Sequence, residues 1–213
     1  MARARIAGLY AIADTARLAP VRLRGAVQAA IDGGARVIQY RDKGGDSAGA
    51  LPRVTAIRAL CRARDVRFIV NDDVDLAHAA EADGVHLGRD DESITTARAR
   101  LGRDAIIGVS CYDDLPRALA AETDGCDYVA FGSFYPSSTK PHAVRPPLSL
   151  LTEARARLRV PIVAIGGITP DNGAHLIAAG ADALAVIDGL FRAVDIAAQA
   201  RRYAALFQSG RGA

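Results

Sequence analysis

Short apolar runs alternate with longer helical segments along this chain, and no other sequence feature limits the possible fold as strongly. The eight strand candidates are residues 6–13, 37–42, 67–72, 84–88, 106–111, 128–133, 161–167 and 183–187. Helical apolar spacing occupies segments between and after them, such as 48–64, 93–101, 114–124, 170–179 and about 193–208. Eight β–α units in one chain predict a (β/α)8 TIM barrel, an α/β fold. A doubly wound sheet is the structural alternative, but no Gly-x-Gly-x-x-Gly motif follows the first strand candidate.

Length and residue usage limit the organisation of the chain. We predict one barrel domain over residues 1–208 and a disordered tail over 209–213. The opening residues are basic and then briefly apolar, so we interpret them as a first strand and not as a secretory signal. No apolar run reaches about 18 residues, and we therefore expect no transmembrane helix. Three widely spaced cysteines fit neither a disulfide framework nor a zinc site, which makes a reducing cytoplasm the expected compartment.

The charge pattern disfavours a nucleic-acid partner. The formal net charge is +3, and aromatic residues make up 5% of the chain, with no tryptophan. Arginines are interleaved with acidic residues along the helical segments and do not form a basic stripe with stacking aromatics. We therefore expect small-molecule partners, neither nucleic acid nor membrane, and leave a homo-oligomer open.

Lysine is rare in this chain, and both lysines follow strand candidates. Lys43 and Lys140 are the two lysines among 27 basic residues. A compact ammonium kept where arginine is the default suggests a functional position. In a barrel the carboxyl ends of the strands form the active face. Polar residues that interrupt apolar runs concentrate at these ends, in 39–43, 71–73, 88–91, 109–111, 137–140, 166–168 and 186–188.

The second strand candidate places cations on one face. Side chains alternate along a strand, so Gln39, Arg41 and Lys43 share a face. If that face points into the barrel, an anion must meet the two charges, because buried charge without a partner is costly. The alternative is that both cations point to solvent and pair with Asp42 or Asp46.

Two carboxylates on neighbouring strands suggest a cation site. Asp72 ends the third strand candidate and Asp91 follows the fourth, and adjacent strands lie about 5 Å apart. Oxygen ligands without nearby Cys or His pairs favour Mg²⁺, which then keeps water and binds substrate phosphate. The alternative is helix capping, by Asp72 or Asp73 for a helix from about 74 and by Asp91 for one from about 93. Asp90 is an ambiguous neighbour.

Two later loops are typical of anion binding. Residues 135–141, YPSSTKP, combine hydroxyls with Lys140, and residues 166–168, GGI, precede a helix predicted to start with Pro170 near its first position. Simple turns are the alternative for both. Two anion sites on one face indicate an enzyme that joins a diphosphate to a monophosphate substrate. No nucleophile–base set is visible: we expect His86 to satisfy a local hydrogen bond, and nothing identifies a partner for Cys111.

These residues resemble the thiamine-phosphate synthase family. The stretches that show the resemblance are 37–43, 68–91, 106–111, 127–140, 160–168 and 180–187, in the family's order and over most of the chain. The resemblance implies a transferase that condenses 4-amino-5-hydroxymethyl-2-methylpyrimidine diphosphate with a thiazole phosphate. Thiamine phosphate and pyrophosphate would form through a pyrimidine carbocation, assisted by Mg²⁺.

The resemblance also implies roles for individual residues. The pyrimidine diphosphate would be held by Gln39, Arg41, Lys43, Asn71, Ser110 and Lys140, and Mg²⁺ by Asp72 and Asp91. The thiazole phosphate would be held by Ser137, Ser138, Thr139, Gly167, Ile187 and Asp188. Lys140, Arg41, Lys43 and Ser110 would be the catalytic residues, with Lys140 as a point charge between the substrates.

Two positions depart from the family pattern. Arg89 stands where Gln is common, and Asp188 stands where a small polar residue is usual, so its carboxylate would repel a phosphate unless it turns away. Thiazole tautomerases share the barrel but use a His acid/base, which loops 110–112 and 132–140 lack; they are the first alternative. A non-catalytic barrel that binds phosphorylated ligands is another. A ribulose-phosphate-type isomerase or epimerase is a further one, but it needs an acid/base pair or a metal-binding His set.

Overall fold

The computed structural model describes residues 6–44, 47–136 and 144–209 and shows a closed barrel of eight parallel strands. The strands are β1 Gly8–Asp14, β2 Ala35–Arg41, β3 Arg67–Asn71, β4 Gly84–Leu87, β5 Ile106–Tyr112, β6 Tyr128–Phe131, β7 Ile162–Ile165 and β8 Ala183–Val186. The helices are α1 Pro20–Asp32, α2 Ser47–Arg62, α3 Val74–Ala79, α4 Ile94–Leu101, α5 Leu115–Thr123, α6 Ser149–Arg157, α7 Gly173–Ala178, α8 Asp188–Phe191 and α9 Ile196–Ser209.

Strand order follows chain order, and β1 pairs with β8 to close the barrel. The predicted (β/α)8 barrel is confirmed, and the doubly wound alternative is wrong. The short helix α8 directly after β8 was not predicted, because four residues are too few to show a helical period. Within the described residues, no helix is long and apolar enough to cross a membrane.

Side-chain alternation divides the core into two layers. Tyr10 and Ile12 of β1 point into the barrel lumen, in a cluster that also contains Val37, Ile69 and Tyr128. The intervening strand residues face the surrounding helices and join a larger apolar cluster. A period of two along each strand produces this division. Every second residue of each strand therefore faces the lumen, and in β2 and β5 these residues include Gln39, Arg41 and Ser110.

Local helix signals decide between the capping alternatives and correct the predicted start of one helix. Asp73, not Asp72, caps α3 by accepting a hydrogen bond from the Leu76 N–H at 2.8 Å. Ser93, not Asp91, caps α4. Helix α7 begins at Gly173, so Pro170 lies before the helix and not at its first position. The capping alternative is therefore wrong for both Asp72 and Asp91, which leaves their carboxylates available at the barrel mouth.

Candidate active site

A cavity of about 790 Å³ opens at the carboxyl ends of the strands. Its wall is built from lumen-facing side chains of the strands and from the loops that follow them. The predicted site residues that line it are Gln39, Arg41, Asn71, Ser110, Gly167, Ile187 and Asp188. A separate cluster contains Lys43, Asp72 and Asp91. In the chain, Asp72 directly follows the lining residue Asn71, and Asp91 directly follows the lining residue Asp90. Ser137, Ser138, Thr139 and Lys140 lie outside the described residues.

The anion that meets Arg41 is Asp14. These residues are register partners at the ends of β1 and β2, and their side chains form an ion pair. Asp14 is only 1% exposed and also accepts a hydrogen bond from the Ala16 N–H at 2.9 Å. The carboxylate thus holds the Arg41 guanidinium at the cavity wall. The sequence analysis did not single out Asp14. Asp14 lies four residues after Tyr10 on the same strand, and this even spacing places its carboxylate on the lumen side.

Asp42 has other partners, so the proposed solvent-facing pair with Arg41 is wrong. Its carboxylate accepts hydrogen bonds from the Thr15 hydroxyl at 2.8 Å and from the Gly44 N–H at 2.9 Å. Arg53 lies 3.5 Å from the same carboxylate. The other proposed partner, Asp46, lies outside the described residues. Asp42 therefore stabilises the loop after β2. Arg41 pairs instead with Asp14, and Lys43 pairs with Asp72.

Lys43, Asp72 and Asp91 are joined by direct contacts. The Lys43 ammonium forms an ion pair with Asp72, although its side chain is 55% exposed. Burial raises the pKa of Asp72, the Lys43 ammonium opposes that shift, and the adjacent Asp91 carboxylate raises the pKa further. Asp91 accepts a hydrogen bond from the Gly88 N–H at 2.6 Å. Two carboxylates are thus held against each other in the loops after the neighbouring strands β3 and β4.

This donor set fits a hard cation. Two carboxylates held side by side repel each other, and a cation that lies between them removes that repulsion. Among residues 6–44, 47–136 and 144–209, no group of three His, Cys, Asp or Glu side chains could hold a metal ion. Mg²⁺ commonly uses one or two carboxylates and completes its shell with water and substrate oxygens. Asp72 and Asp91 therefore fit Mg²⁺ in the presence of a phosphorylated substrate.

A row of hydrogen bonds crosses the lumen, and its members line the cavity. The Gln39 amide donates to the Tyr10 hydroxyl at 2.8 Å, and that hydroxyl lies 2.8 Å from the Tyr128 hydroxyl. The His86 ring contacts Tyr128 through Nδ1 and Ser110 through Nε2, both at 2.9 Å. As expected, His86 makes local hydrogen bonds. Tyr10 and Tyr128 were not predicted, because a buried tyrosine in an apolar strand gives no sequence signal of its own.

The loops after β7 and β8 form the opposite wall. Gly167 has a positive φ of 61°, and a Cβ there would lie 2.3 Å from the Pro136 carbonyl oxygen, so the backbone approaches as only glycine allows. The Asn172 side chain accepts from the Thr169 N–H and donates to the Gly167 carbonyl oxygen. This loop therefore has a defined conformation beside the cavity.

The two departures from the family pattern both have local partners. Asp188 is largely buried, and one of its oxygens lies 3.8 Å from Nε of Arg17. This cation partly offsets the negative charge of Asp188 at the cavity wall. The Arg89 guanidinium lies 4.9 Å from the centre of the Tyr112 ring, a cation–π distance, and both residues line the cavity. Arg89 thus adds positive charge to the wall that contains Asp90.

The model of the thiamine monophosphate synthase family matches residues 9–190. The chain belongs to this family. It is 52% identical over 204 residues to the thiamine-phosphate synthase of Thioalkalivibrio sulfidiphilus, covering 96% of this chain and 97% of the relative. It is 53% identical over 203 residues to that of Chromobacterium violaceum, covering 95% and 97%. The predicted family resemblance and the prediction of a transferase of thiamine biosynthesis are confirmed.

A solved structure supports the same assignment. The thiamine phosphate pyrophosphorylase from Pyrococcus furiosus superposes with a TM-score of 0.86 at 35% identity, covering 96% of this chain and 97% of that chain. Agreement over almost the whole of both chains means that the barrel described here is the family's barrel. The roles of individual residues remain predictions.

Proposed function

We propose that this protein is a thiamine-phosphate synthase that joins the pyrimidine diphosphate to a thiazole phosphate and releases pyrophosphate. The observation that supports this most directly is the meeting of opposite charges at one barrel mouth. Arg41, held by the buried Asp14, faces the cavity, while Asp72 and Asp91 lie against each other beside it. A diphosphate bound together with a divalent cation would satisfy both sets of charges. Its negative oxygens would meet the Arg41 guanidinium, and the cation would meet the Asp72 and Asp91 carboxylates.

The diphosphate end would be bound by the side chains of β2, β3 and β5. Arg41 and Lys43 supply charge, and Gln39, Asn71 and Ser110 supply hydrogen bonds. The leaving diphosphate gains negative charge as its C–O bond breaks, so fixed cations stabilise the transition state more than the ground state. Arg41 is suited to this because its ion pair with Asp14 already fixes its direction.

Asp72 and Asp91 would hold Mg²⁺. When bound, Mg²⁺ supplies positive charge that stabilises the departing pyrophosphate. Lys43 contacts Asp72, so the same carboxylate would orient the ammonium towards the diphosphate. This arrangement concentrates cations where negative charge develops.

Bond formation would need no side-chain base. The pyrimidine carbocation left by departure of pyrophosphate is captured by the lone pair of the thiazole nitrogen, and no proton has to move in that step. His86, the histidine that lines the cavity, has both ring nitrogens in hydrogen bonds to Tyr128 and Ser110. Among the described residues that line the cavity, the histidine is thus engaged in hydrogen bonds, which is consistent with a substitution driven by departure of the diphosphate.

The thiazole phosphate would lie against the loops after β7 and β8, the usual phosphate site of such barrels. Gly167 allows close approach of the backbone, and Ile187 and Asp188 line the cavity there. Arg17 lies beside Asp188 and reduces its repulsion of a phosphate. The predicted loop residues Ser137, Ser138, Thr139 and Lys140 would complete this site, with Lys140 between the two substrates.

One assay tests the proposal. Purified protein is incubated with both substrates, with Mg²⁺ or with excess chelator, and thiamine phosphate and pyrophosphate are quantified. We expect equimolar products only with Mg²⁺, and about 100-fold slower turnover for Arg41→Gln. Arg64→Gln is the matched control, because Arg64 forms an exposed ion pair with Asp32 away from the cavity.

Two results would contradict the proposal. Tight binding of the pyrimidine diphosphate without turnover would favour a non-catalytic binding barrel. Isomerisation of the thiazole phosphate in the absence of the pyrimidine would favour a tautomerase.

A further inference from the structure

The row of hydrogen bonds along the cavity joins side chains from five different strands. Gln39 comes from β2, Tyr10 from β1, Tyr128 from β6, His86 from β4 and Ser110 from β5. Four of these residues are at most 9% exposed, and every contact in the row is 2.8–2.9 Å. Buried polar groups this close together must match donors with acceptors, since an unmatched one is costly.

The Gln39 amide determines which way the row is polarised. Its nitrogen has only hydrogens to offer, so the Tyr10 oxygen accepts there. The buried Tyr10 hydroxyl must still place its own hydrogen, and the Tyr128 oxygen at 2.8 Å is the acceptor that can take it. The Tyr128 oxygen is then an acceptor, and its own hydrogen points to Nδ1 of His86. Burial raises the pKa of both phenols, so both keep their hydrogens.

The same polarity continues to the cavity wall. A His86 ring that accepts at Nδ1 and is neutral bears its hydrogen on Nε2, and Nε2 lies 2.9 Å from the Ser110 hydroxyl oxygen. Ser110 then accepts from His86, and its own hydrogen is free to point elsewhere. Ser110 lines the cavity, so a ligand there meets a hydrogen-bond donor.

We propose that the Gln39–Tyr10–Tyr128–His86 row fixes His86 as the Nε2–H tautomer and thereby makes Ser110 a donor to an oxyanion in the cavity. Tyr10, Tyr128 and His86 are then positioning residues that act through Ser110. With the opposite polarity, Ser110 would give its hydrogen to His86 and present only lone pairs to the ligand. An acceptor repels an oxyanion. The identification of that oxyanion as the diphosphate rests on the proposed function, whereas the tautomer does not.

The tautomer can be measured directly on the wild-type protein. The full chain is labelled with ¹⁵N-histidine, and His86 is assigned among the four histidines by comparison with His86→Gln. Couplings between the ring nitrogens and ring protons then show which nitrogen bears the hydrogen at pH 8. We expect the hydrogen on Nε2 and a bare Nδ1. A hydrogen on Nδ1, or averaging between the two forms, would overturn the inference, and neither result depends on turnover.

A double-mutant cycle tests the action through Ser110, with inorganic pyrophosphate as the probe. We expect Ser110→Ala and Tyr128→Phe each to weaken its binding, measured calorimetrically with Mg²⁺, by about 10-fold. The double variant should be no weaker than Ser110→Ala alone, because both changes remove the same donor. Additive losses would refute a role through Ser110.

A matched control separates this role from general destabilisation. Tyr203 is also fully buried, and its hydroxyl donates to the Ile168 carbonyl oxygen at 2.8 Å, outside the row. Tyr203→Phe loses a comparable hydrogen bond and should leave both the His86 tautomer and the pyrophosphate affinity unchanged. If Tyr128→Phe is indistinguishable from Tyr203→Phe in both measurements, Tyr128 has only a structural role. If Tyr128→Phe does not fold, the wild-type tautomer still decides the inference.

Discussion

Substitution of Gly108 by alanine is expected to displace the Tyr128 ring, whose hydroxyl takes part in the lumen hydrogen bonds. Gly108 lies in β5, with His86 and Tyr128 as its register partners on the neighbouring strands. A Cβ at Gly108 would lie 2.0 Å from Cζ and 2.4 Å from the hydroxyl oxygen of Tyr128, whereas ordinary contact begins near 3.4 Å. The ring would have to move by about 1.4 Å. Its hydroxyl bonds of 2.8 and 2.9 Å cannot all survive that shift.

The expected cost follows from these contacts. Overpacking a close-packed core costs about 1–3 kcal/mol, and a buried hydrogen-bonding group left without its partner costs about 1–3 kcal/mol more. We therefore expect Gly108→Ala to lose about 2–6 kcal/mol of unfolding free energy, a large share of a typical domain's stability. In urea, the unfolding midpoint should fall by about 1–2 M.

Equilibrium urea unfolding, followed by circular dichroism, measures this loss. Gly25→Ala is the matched control, because Gly25 is exposed in α1 and a Cβ there meets nothing within 4 Å. It should raise stability by about 0.5–1 kcal/mol through helix propensity. A Gly108→Ala midpoint within about 0.3 M of wild type would refute the packing of Tyr128 against Gly108.

Four further predictions concern the site and the thiols. Asp14→Asn should cost about 3 kcal/mol of unfolding free energy and lower turnover, because it leaves the Arg41 charge without its carboxylate. Asp72→Asn should raise the Mg²⁺ concentration needed for half-maximal turnover by about tenfold, since it removes one of two anionic ligands. Asp188→Ser should lower the Michaelis constant for thiazole phosphate a fewfold or leave it unchanged, because Arg17 forms only a modest, partly exposed pair with Asp188. Burial raises the pKa of all three cysteine thiols to about 12, so at pH 8 they stay protonated and a thiol reagent should label them only after unfolding.

Each of these has an opposing outcome. Wild-type stability of Asp14→Asn would mean that Arg41 does not depend on that carboxylate. An unchanged Mg²⁺ titration of Asp72→Asn would remove Asp72 from the metal site. A large rise in the Michaelis constant of Asp188→Ser would give Asp188 a positive role in binding. Rapid stoichiometric labelling of the native protein would show that at least one thiol is accessible as thiolate.

Much of the fold could be predicted because its signals are local. Each strand of the barrel was visible as a short apolar run, and alternation along β2 correctly placed Gln39 and Arg41 on the lumen side. Helix α8 was missed because it is one turn long, and the start of α7 was placed at Pro170 because proline is common at first helical positions. These errors lie at element ends, where propensity is weak and tertiary contacts decide.

The candidate site could be predicted as a set of residues but not as a set of contacts. Asp72 and Asp91 were paired from strand adjacency, and the structure brings them together. The partner of Arg41 was missed, because Asp14 is 27 residues away and contacts it only through pairing of β1 with β2. The Asp188 carboxylate likewise meets Arg17 only because β1 and β8 pair to close the barrel.

The sequence by itself determined the number of β–α units, the parity of side chains that face the lumen, and the motifs that place the chain in its family. Only the tertiary structure decided which lumen side chains meet. Tyr10 and Tyr128 are 118 residues apart, yet their hydroxyls lie 2.8 Å from each other because closing the barrel brings the lumen faces of β1 and β6 together. Periodicity records which way each side chain points, whereas partners depend on register and closure, which are properties of the whole sheet.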